Sequence, residues 1–200
     1  MKVVVLGAAG RTGRLVVEEA VRAGHEVTAA VRSPAAFTGG GLVVRADVRD
    51  PDSVRAAVAG HDVVVSAIGP SGRHAHGLYS DCARALVSAD VDRVVAITSG
   101  GVRDDDPNFS FWYRHLVRPL ARDLYGDMRL MEAVLRDSRA EWTFVRPARL
   151  LDEEPTGVYR VLDGETPKGG WQVPRADVAR FVVEELDARR WSKAAPTIAR

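Results

Sequence analysis

The sequence predicts an α/β fold, a doubly wound parallel sheet in a single domain. Three observations carry this expectation. Short β-branched runs alternate with segments of helical period from the first residues onward. The connections between them are mostly short, as in repeated βαβ units with right-handed crossovers. The length, 200 residues, suits one domain with a sizeable core.

Lys2–Leu6 is the first β-branched run. It leads into a glycine turn and a helix pattern, so the apolar start is read as a strand and not as a signal peptide. Residues 12–23 place Leu15, Val16, Glu19, Ala20 and Val21 at helical spacing, with Gly24 positioned to end the helix. Glu26–Val31 and Leu42–Arg45 read as the second and third strands. Asp50-Pro51-Asp52-Ser53 opens a helix running to about residue 59. Pro51 has the φ that a first turn needs, and Asp50 is placed to accept from its N–H groups. Residues 62–68 are nearly all apolar, as expected of a strand covered on both faces. The alternation continues with a helix over 76–89, a strand over 93–98, a helix over 128–137 and a strand over 142–146. A short strand at 157–162, a helix at 175–187 and a strand near Thr197 complete the pattern, forming a small C-terminal extension. Residues 100–126 are the long irregular stretch.

Composition narrows the function. A net charge of +1 with scattered basic residues offers no field for nucleic acid or an anionic membrane. No run approaches the ~20 apolar residues of a membrane span. One cysteine, Cys82, precludes an intrachain disulfide and suits a reducing compartment, so a cytoplasmic location is expected. His74 and His76 have no third ligand nearby in sequence, and no metal site is expected.

The strand ends carry the informative residues. Gly7-Ala8-Ala9-Gly10-Arg11-Thr12-Gly13 lies between the first strand and the first helix. Glycines there permit a tight turn, let the backbone approach a pyrophosphate and let helix pack on strand. The helix N-terminus adds unpaired N–H groups and the positive end of its dipole. An NAD site usually ends its second strand in an acid that binds the ribose hydroxyls. Here the strand ends Val31-Arg32-Ser33-Pro34, which suits a 2′-phosphate: Arg32 to pair with it, Ser33 to add a hydrogen bond, Arg11 to reach it from the loop. NADP(H) is therefore expected over NAD(H). Asp47 and Val48 are placed for the adenine, Ala67, Ile68 and Gly69 for a ribose, and Thr98 and Ser99 for the nicotinamide.

Together with Leu135-Arg136-Asp137-Ser138, the run from Trp142 to Pro147 and Arg175-Ala176-Asp177-Val178-Ala179, these residues resemble the atypical short-chain dehydrogenases/reductases. Within them the chain is similar to the NAD(P)H-binding, NmrA-like group. Thr156-Gly157-x-Tyr159 and Leu162-Asp163-Gly164 resemble its biliverdin reductase B (flavin reductase) branch. The resemblance covers nearly the whole chain except about residues 103–127. It implies a Rossmann-type core, use of NADPH with Pro147 beside the cofactor, and hydride delivery to flavins or linear tetrapyrroles. It also carries the serine after the fifth strand onto Ser99. The family's histidine after the sixth strand falls on Arg149, a poor proton donor at neutral pH.

Carbonyl-reducing relatives commonly pair a Tyr with a Lys four residues on. Four residues after Tyr79, Tyr113, Tyr125 and Tyr159 stand Ala83, Val117, Arg129 and Asp163, so Tyr125 with Arg129 is the one cationic variant. Without the dyad, direct reduction of a conjugated acceptor, with the proton from solvent, is the favoured chemistry. Ser99, Tyr125 and Arg149 are the candidate catalytic groups. Phe109, Phe111, Trp112 and Tyr113 form either a wall for a flat substrate or an ordinary packed segment. The expected activity is an NADPH-dependent oxidoreductase acting on a flavin, quinone or similar small molecule. A non-catalytic NADP(H) sensor is the alternative, and an epimerase-like enzyme a more distant one. The expected partners are that acceptor, no nucleic acid and no membrane, in a monomer or homodimer. Residues 100–126 and 147–175 are expected to form the substrate side.

Overall fold

Strand side chains alternate in direction, so a strand apolar at every position must be covered from both sides. β1 (Lys2–Leu6) shows this directly. Val3 and Val5 enter one buried cluster and Val4 and Leu6 another. A computed structural model, describing residues 1–72 and 74–200, places a sheet between these two clusters. The elements are α1 (Arg11–Arg22), β2 (Glu26–Val31), β3 (Leu42–Arg45), α2 (Pro51–Val58), β4 (Val63–Ser66), α3 (Leu78–Ser88), β5 (Arg93–Ile97), α4 (Arg122–Arg136) and β6 (Glu141–Pro147). There follow β7 (Arg149–Leu151), β8 (Arg160–Asp163), β9 (Gln172–Pro174), α5 (Arg175–Ala188) and β10 (Pro196–Ala199).

The sheet order is β3-β2-β1-β4-β5-β6-β10-β8. Every pairing is parallel except β8 on β10. α1 and α5 cover one face through Val16, Val17, Val178 and Val182, and α2, α3 and α4 cover the other through Val54, Leu86, Met131 and Leu135. The chain leaves β1 for β2 in one direction and returns to β4 in the other. A crevice therefore opens at the carboxyl ends of β1 and β4, the topological switch point of a doubly wound sheet. No helix among the described residues is long and apolar enough to cross a membrane.

Local chemistry explains most boundaries. Asp50 caps α2 as its position suggests, accepting from the N–H groups of Asp52 and Ser53. α4 begins six residues before the expected position 128. Its first turns carry Arg122, Asp123 and Asp127, whose polarity hides the helical period. Asp127 is spent on a tertiary contact, accepting from the backbone N–H groups of Tyr79 (2.9 Å) and Ser80 (3.2 Å) at the start of α3. β7 and β9 pair with each other in a separate two-stranded sheet, and three residues each are too few to show a period.

One buried ionic group pins the far side. Glu132, on α4, has no solvent exposure. It accepts from Thr98 Oγ1 (2.9 Å), Arg146 Nε (3.0 Å) and Arg136 Nη2 (3.0 Å), and also from Arg146 Nη2. Removing one partner of a buried pair typically costs about 3–5 kcal/mol, because the other charge is left uncompensated. Glu132→Gln is therefore expected to lower unfolding stability by about 3 kcal/mol, measured by urea denaturation; a loss below about 1 kcal/mol would show that the pair behaves as an exposed one.

Cys82 is fully buried, and burial pushes its thiol up to about 12. The folded state therefore holds this proton more tightly than the unfolded chain, whose thiol titrates near ~8.5. The stabilisation is complete below ~8.5 and is lost as pH rises towards the folded value. Unfolding midpoints are expected to fall above about pH 8.5 in the wild type and to fall less steeply in Cys82→Ala, as read by thermal melts across an alkaline series.

Candidate functional site: a dinucleotide cleft

The cleft begins where β1 ends. Gly7 has φ +77°, and a Cβ there would lie 2.7 Å from the Ala67 carbonyl oxygen. A Cβ on Gly13 would overlap the Gly7 carbonyl oxygen, so α1 packs directly on the turn that precedes it. The N-cap of α1 is Gly10, no side chain caps the helix, and its first turn carries no acid. The leading N–H groups and the positive dipole end are thus left for an anion.

From this loop a cavity of about 1300 Å³ extends across the carboxyl ends of the strands. That exceeds the ~300–1,000 Å³ of a drug-sized pocket and suits an extended ligand. Gly7, Ala9, Gly10, Arg11 and Thr12 line its centre; Arg32, Asp47 and Val48 line one end. Ala67, Ile68 and Gly69 form the floor after β4, and Thr98, Ser99, Tyr125, Pro147 and Arg149 line the other end. Gly13 supports the loop from beneath, and Ser33 is exposed outside the cavity.

At the β2 end Arg32 is exposed at the strand terminus. One oxygen of Asp47 accepts from the backbone N–H of Arg49 (3.0 Å), leaving the other for a ligand. Arg49 also lines the cavity and donates to the His76 carbonyl (3.1 Å). Arg11 forms an ion pair with Asp152 (2.7 Å), and the same carboxylate accepts from Arg175 (2.8 Å). The Arg11 pair is exposed on both sides, hence worth at most about 1 kcal/mol, so a phosphate can compete for the guanidinium. Burial first, then the neighbouring Arg11, pulls the Arg175 guanidinium below its ordinary value. Sequence reasoning missed Arg175 and Arg49. Arg175 reaches the glycine loop only because α5 lies beside α1, which no one-dimensional pattern announces. His74 and His76 stand near each other with ring centroids 5.5 Å apart, and His74 lies 3.7 Å from Asp123.

The other end departs from expectation in detail. Thr98 lines the cavity, but its hydroxyl donates into the core to Glu132 and does not face a ligand. Ser99 Oγ accepts from the Gly101 N–H (3.2 Å), which keeps its own O–H available as a donor. The Tyr125 hydroxyl meets the Tyr113 hydroxyl (2.9 Å), and not Arg129. Arg129 instead reaches the Asp104 carboxylate (2.6 Å) and the Val102 carbonyl (3.1 Å), because the turn after β5 lies against α4. Burial, and next the hydrogen bond to Tyr125, push the Tyr113 hydroxyl up, so it keeps its proton. Gly101 makes room for this tyrosine pair, since a Cβ there would lie 2.7 Å from the Tyr113 hydroxyl. Arg149 is exposed, its guanidinium 5.7 Å from the centroid of the Trp171 ring.

A parallel sheet in this order, with an uncapped helix over a glycine turn at its switch point, defines a dinucleotide-binding protein. The chain belongs to the NAD(P)H-binding family, whose model matches residues 7–189. It is 27% identical over 205 residues to the UPF0659 protein YMR090W of Saccharomyces cerevisiae, covering 93% of this chain and 87% of that one. Among solved structures, a candidate exported protein of Burkholderia pseudomallei is 32% identical, with a TM-score of 0.76 and 100% of both chains covered. A candidate NADH-flavin reductase of Streptococcus pneumoniae is 27% identical, with a TM-score of 0.81, covering 100% of this chain and 99% of that one.

Gly13→Ala tests the cradle directly. Overpacking of this kind costs about 1–3 kcal/mol, and here the displaced atoms are those of the phosphate loop. Affinity for NAD(P)H is expected to fall by about tenfold or more, measured by nucleotide fluorescence, with the circular dichroism spectrum retained.

Proposed function

We propose that this protein is an NADPH-dependent reductase of a conjugated acceptor, a flavin, a quinone or a similar small molecule. The observation that carries the reading is the pairing of a dinucleotide cradle with a reaction end whose tyrosine, Tyr125, has its hydroxyl against that of Tyr113 and no lysine or arginine hydrogen-bonded to it among the described residues. The groups there are Ser99, Tyr125 and Arg149. The Tyr113 hydroxyl holds its proton, and Arg129, the cation four residues after Tyr125, is engaged by Asp104.

The cradle fits the nucleotide: the loop N–H groups, with Arg11 and Arg175 beside them, would hold a pyrophosphate, and Arg32 a 2′-phosphate. When bound, the nicotinamide supplies two electrons and a proton as a hydride, and solvent supplies the second proton that a reduced conjugated acceptor takes up. The protein's own share is orientation and exclusion of water. Ser99 donates a hydrogen bond at the far end, and Leu124, Met128 and Pro147 give that end an apolar lining. Residues 100–126 and 147–175 then form the substrate side, consistent with the resemblance to the biliverdin reductase B branch. The flavin reductase name of the Streptococcus pneumoniae protein supports the acceptor class. That name specifies NADH, whereas Arg32 at the end of β2 favours NADPH in this chain. The single buried free cysteine supports a cytoplasmic location.

Calorimetric titration with NADPH and NADH, followed by stopped-flow absorbance of bound NADPH against FMN, biliverdin and quinones, tests this reading. NADPH is expected to bind more tightly than NADH and to be oxidised by at least one acceptor. Tight binding without oxidation by any acceptor would replace the reductase with an NADP(H) sensor. Arg32→Gln is expected to weaken NADPH binding by about 10- to 100-fold, the worth of one charge-assisted contact, with NADH binding unchanged; an equal loss for both nucleotides would remove Arg32 from the 2′-phosphate site.

A further inference from the structure

A second cavity, of about 570 Å³, lies behind Tyr125, which lines both it and the cofactor cleft. Its walls carry Arg114, His115, Arg118, Arg122 and Arg129 against one carboxylate, Asp104. Elsewhere on the surface arginines stand opposite acids, as in Arg55–Asp52, Arg84–Asp81 and Arg200–Glu153. Here four guanidinium groups line one cavity whose single lining acid, Asp104, pairs with two of them, Arg118 and Arg129, and the mutual repulsion of the cations is a cost that a merely solvated surface has no reason to bear.

Three of the four are held in place by the protein. Arg114 donates to the Asp106 carbonyl (2.9 Å). Arg118 pairs with Asp104 and donates to the Gly101 carbonyl (3.4 Å), and Arg129 donates to Asp104 and the Val102 carbonyl. Each anchored guanidinium uses only some of its five N–H donors, leaving the rest for a ligand. Arg122 is exposed and has no ion-pair partner among the described residues. Burial, and then the proximity of Arg129, lower the Arg118 guanidinium, as expected of a cation crowded by cations.

We propose that this cavity binds an anionic group, a phosphate or a carboxylate, carried by the acceptor whose ring system occupies the cofactor cleft on the other side of Tyr125. The identity of the ligand as the acceptor rests on the reductase reading; the anion site rests on the arginines. The tyrosine pair is then the partition between ring and tail, seated close to the chain by Gly101. The site selects among conjugated acceptors by charge, favouring those with an anionic tail over neutral ones of the same ring system.

FMN and riboflavin share ring and ribityl chain and differ by one phosphate. Each, in its oxidised form, is titrated calorimetrically into the protein saturated with NADP⁺, which fills the glycine-loop anion site and permits no turnover. FMN is expected to bind at least about tenfold more tightly than riboflavin, a single charge-assisted interaction's worth. Arg122→Gln and Arg118→Gln are each expected to reduce that gap to about threefold or less with NADP⁺ affinity unchanged. Biliverdin, a dicarboxylate, is the second arm: loss of its binding in the same variants with FMN unaffected would assign the cavity to carboxylates. Biliverdin binding insensitive to both variants would overturn the proposal when it accompanies either equal affinities for FMN and riboflavin or an FMN gap that survives in both variants. None of these titrations contains NADPH, so a protein that binds FMN through Arg122 but never oxidises NADPH loses the reductase reading alone.

Discussion

Glu132 is fully buried, and an ionised carboxylate in that position is tolerable only when strong donors meet it on every side. Its donors come from three places: Thr98 at the end of β5, Arg146 on β6 and Arg136 one turn along α4. Arg136 itself lies against the stacked rings of Trp142 and Phe144, 5.2 and 4.9 Å from their centroids. α4 is thereby fixed in register against the carboxyl ends of two strands. That helix carries Tyr125 into the cofactor cleft and Arg129 into the arginine-lined cavity. A slip of α4 by one turn would strand the carboxylate and break both walls together.

The same device recurs where regular structure runs out. Asp177 is buried and accepts from the N–H groups of Thr156 and Gly157, tying an irregular loop to the first turn of α5. Asp106 accepts from the N–H groups of Asn108 and Thr166, joining the segment after β5 to the segment before β9. Glu185 accepts from those of Arg190 and Trp191 beyond the end of α5. A buried backbone N–H without a partner costs as much as a lost hydrogen bond, and loops have no ladder to supply partners. Buried carboxylates fill that role here, so the segments flanking the cleft are held by a few charged bonds and not by a continuous apolar core.

This division explains what was legible in the sequence. The sheet and its helices follow from periodicity, because Val3 to Leu6, Val63 to Val65 and Val94 to Ile97 are apolar for a reason that acts locally along the strand. The position of the glycine turn and of Arg32 at the cleft was legible because each belongs to a strand end whose place in the sheet is set by topology. Arg175 and Arg49 were not, since their positions at the cleft depend on long-range packing and on a turn. Thr98 was read as facing a ligand, but a hydroxyl near a strand end goes where its strongest acceptor lies, and Glu132 is 34 residues away in sequence. The Tyr125–Arg129 spacing failed for a related reason. Residues four apart share a helix face, yet Arg129 is long enough to prefer the carboxylate and carbonyl of the turn beside it.

The scarcity of lysine bears on the same chemistry. Lys2, Lys168 and Lys193 are the lysines among 28 basic residues, and none lines either cavity. In a crowded, partly desolvated cationic site a lysine would give up its proton readily, because both burial and neighbouring cations act against the charged form. An arginine begins more than two units higher and keeps its charge under the same pressure. The planar fork also lets one guanidinium serve two acceptors, as Arg118 and Arg129 each do with Asp104 and a backbone carbonyl. Four arginines can therefore line one cavity, two of them on the same carboxylate, and keep their charge. On the proposed reading an anionic ligand relieves the repulsion that Asp104 offsets only in part, so the crowding of the cations and the preference for charge have one source.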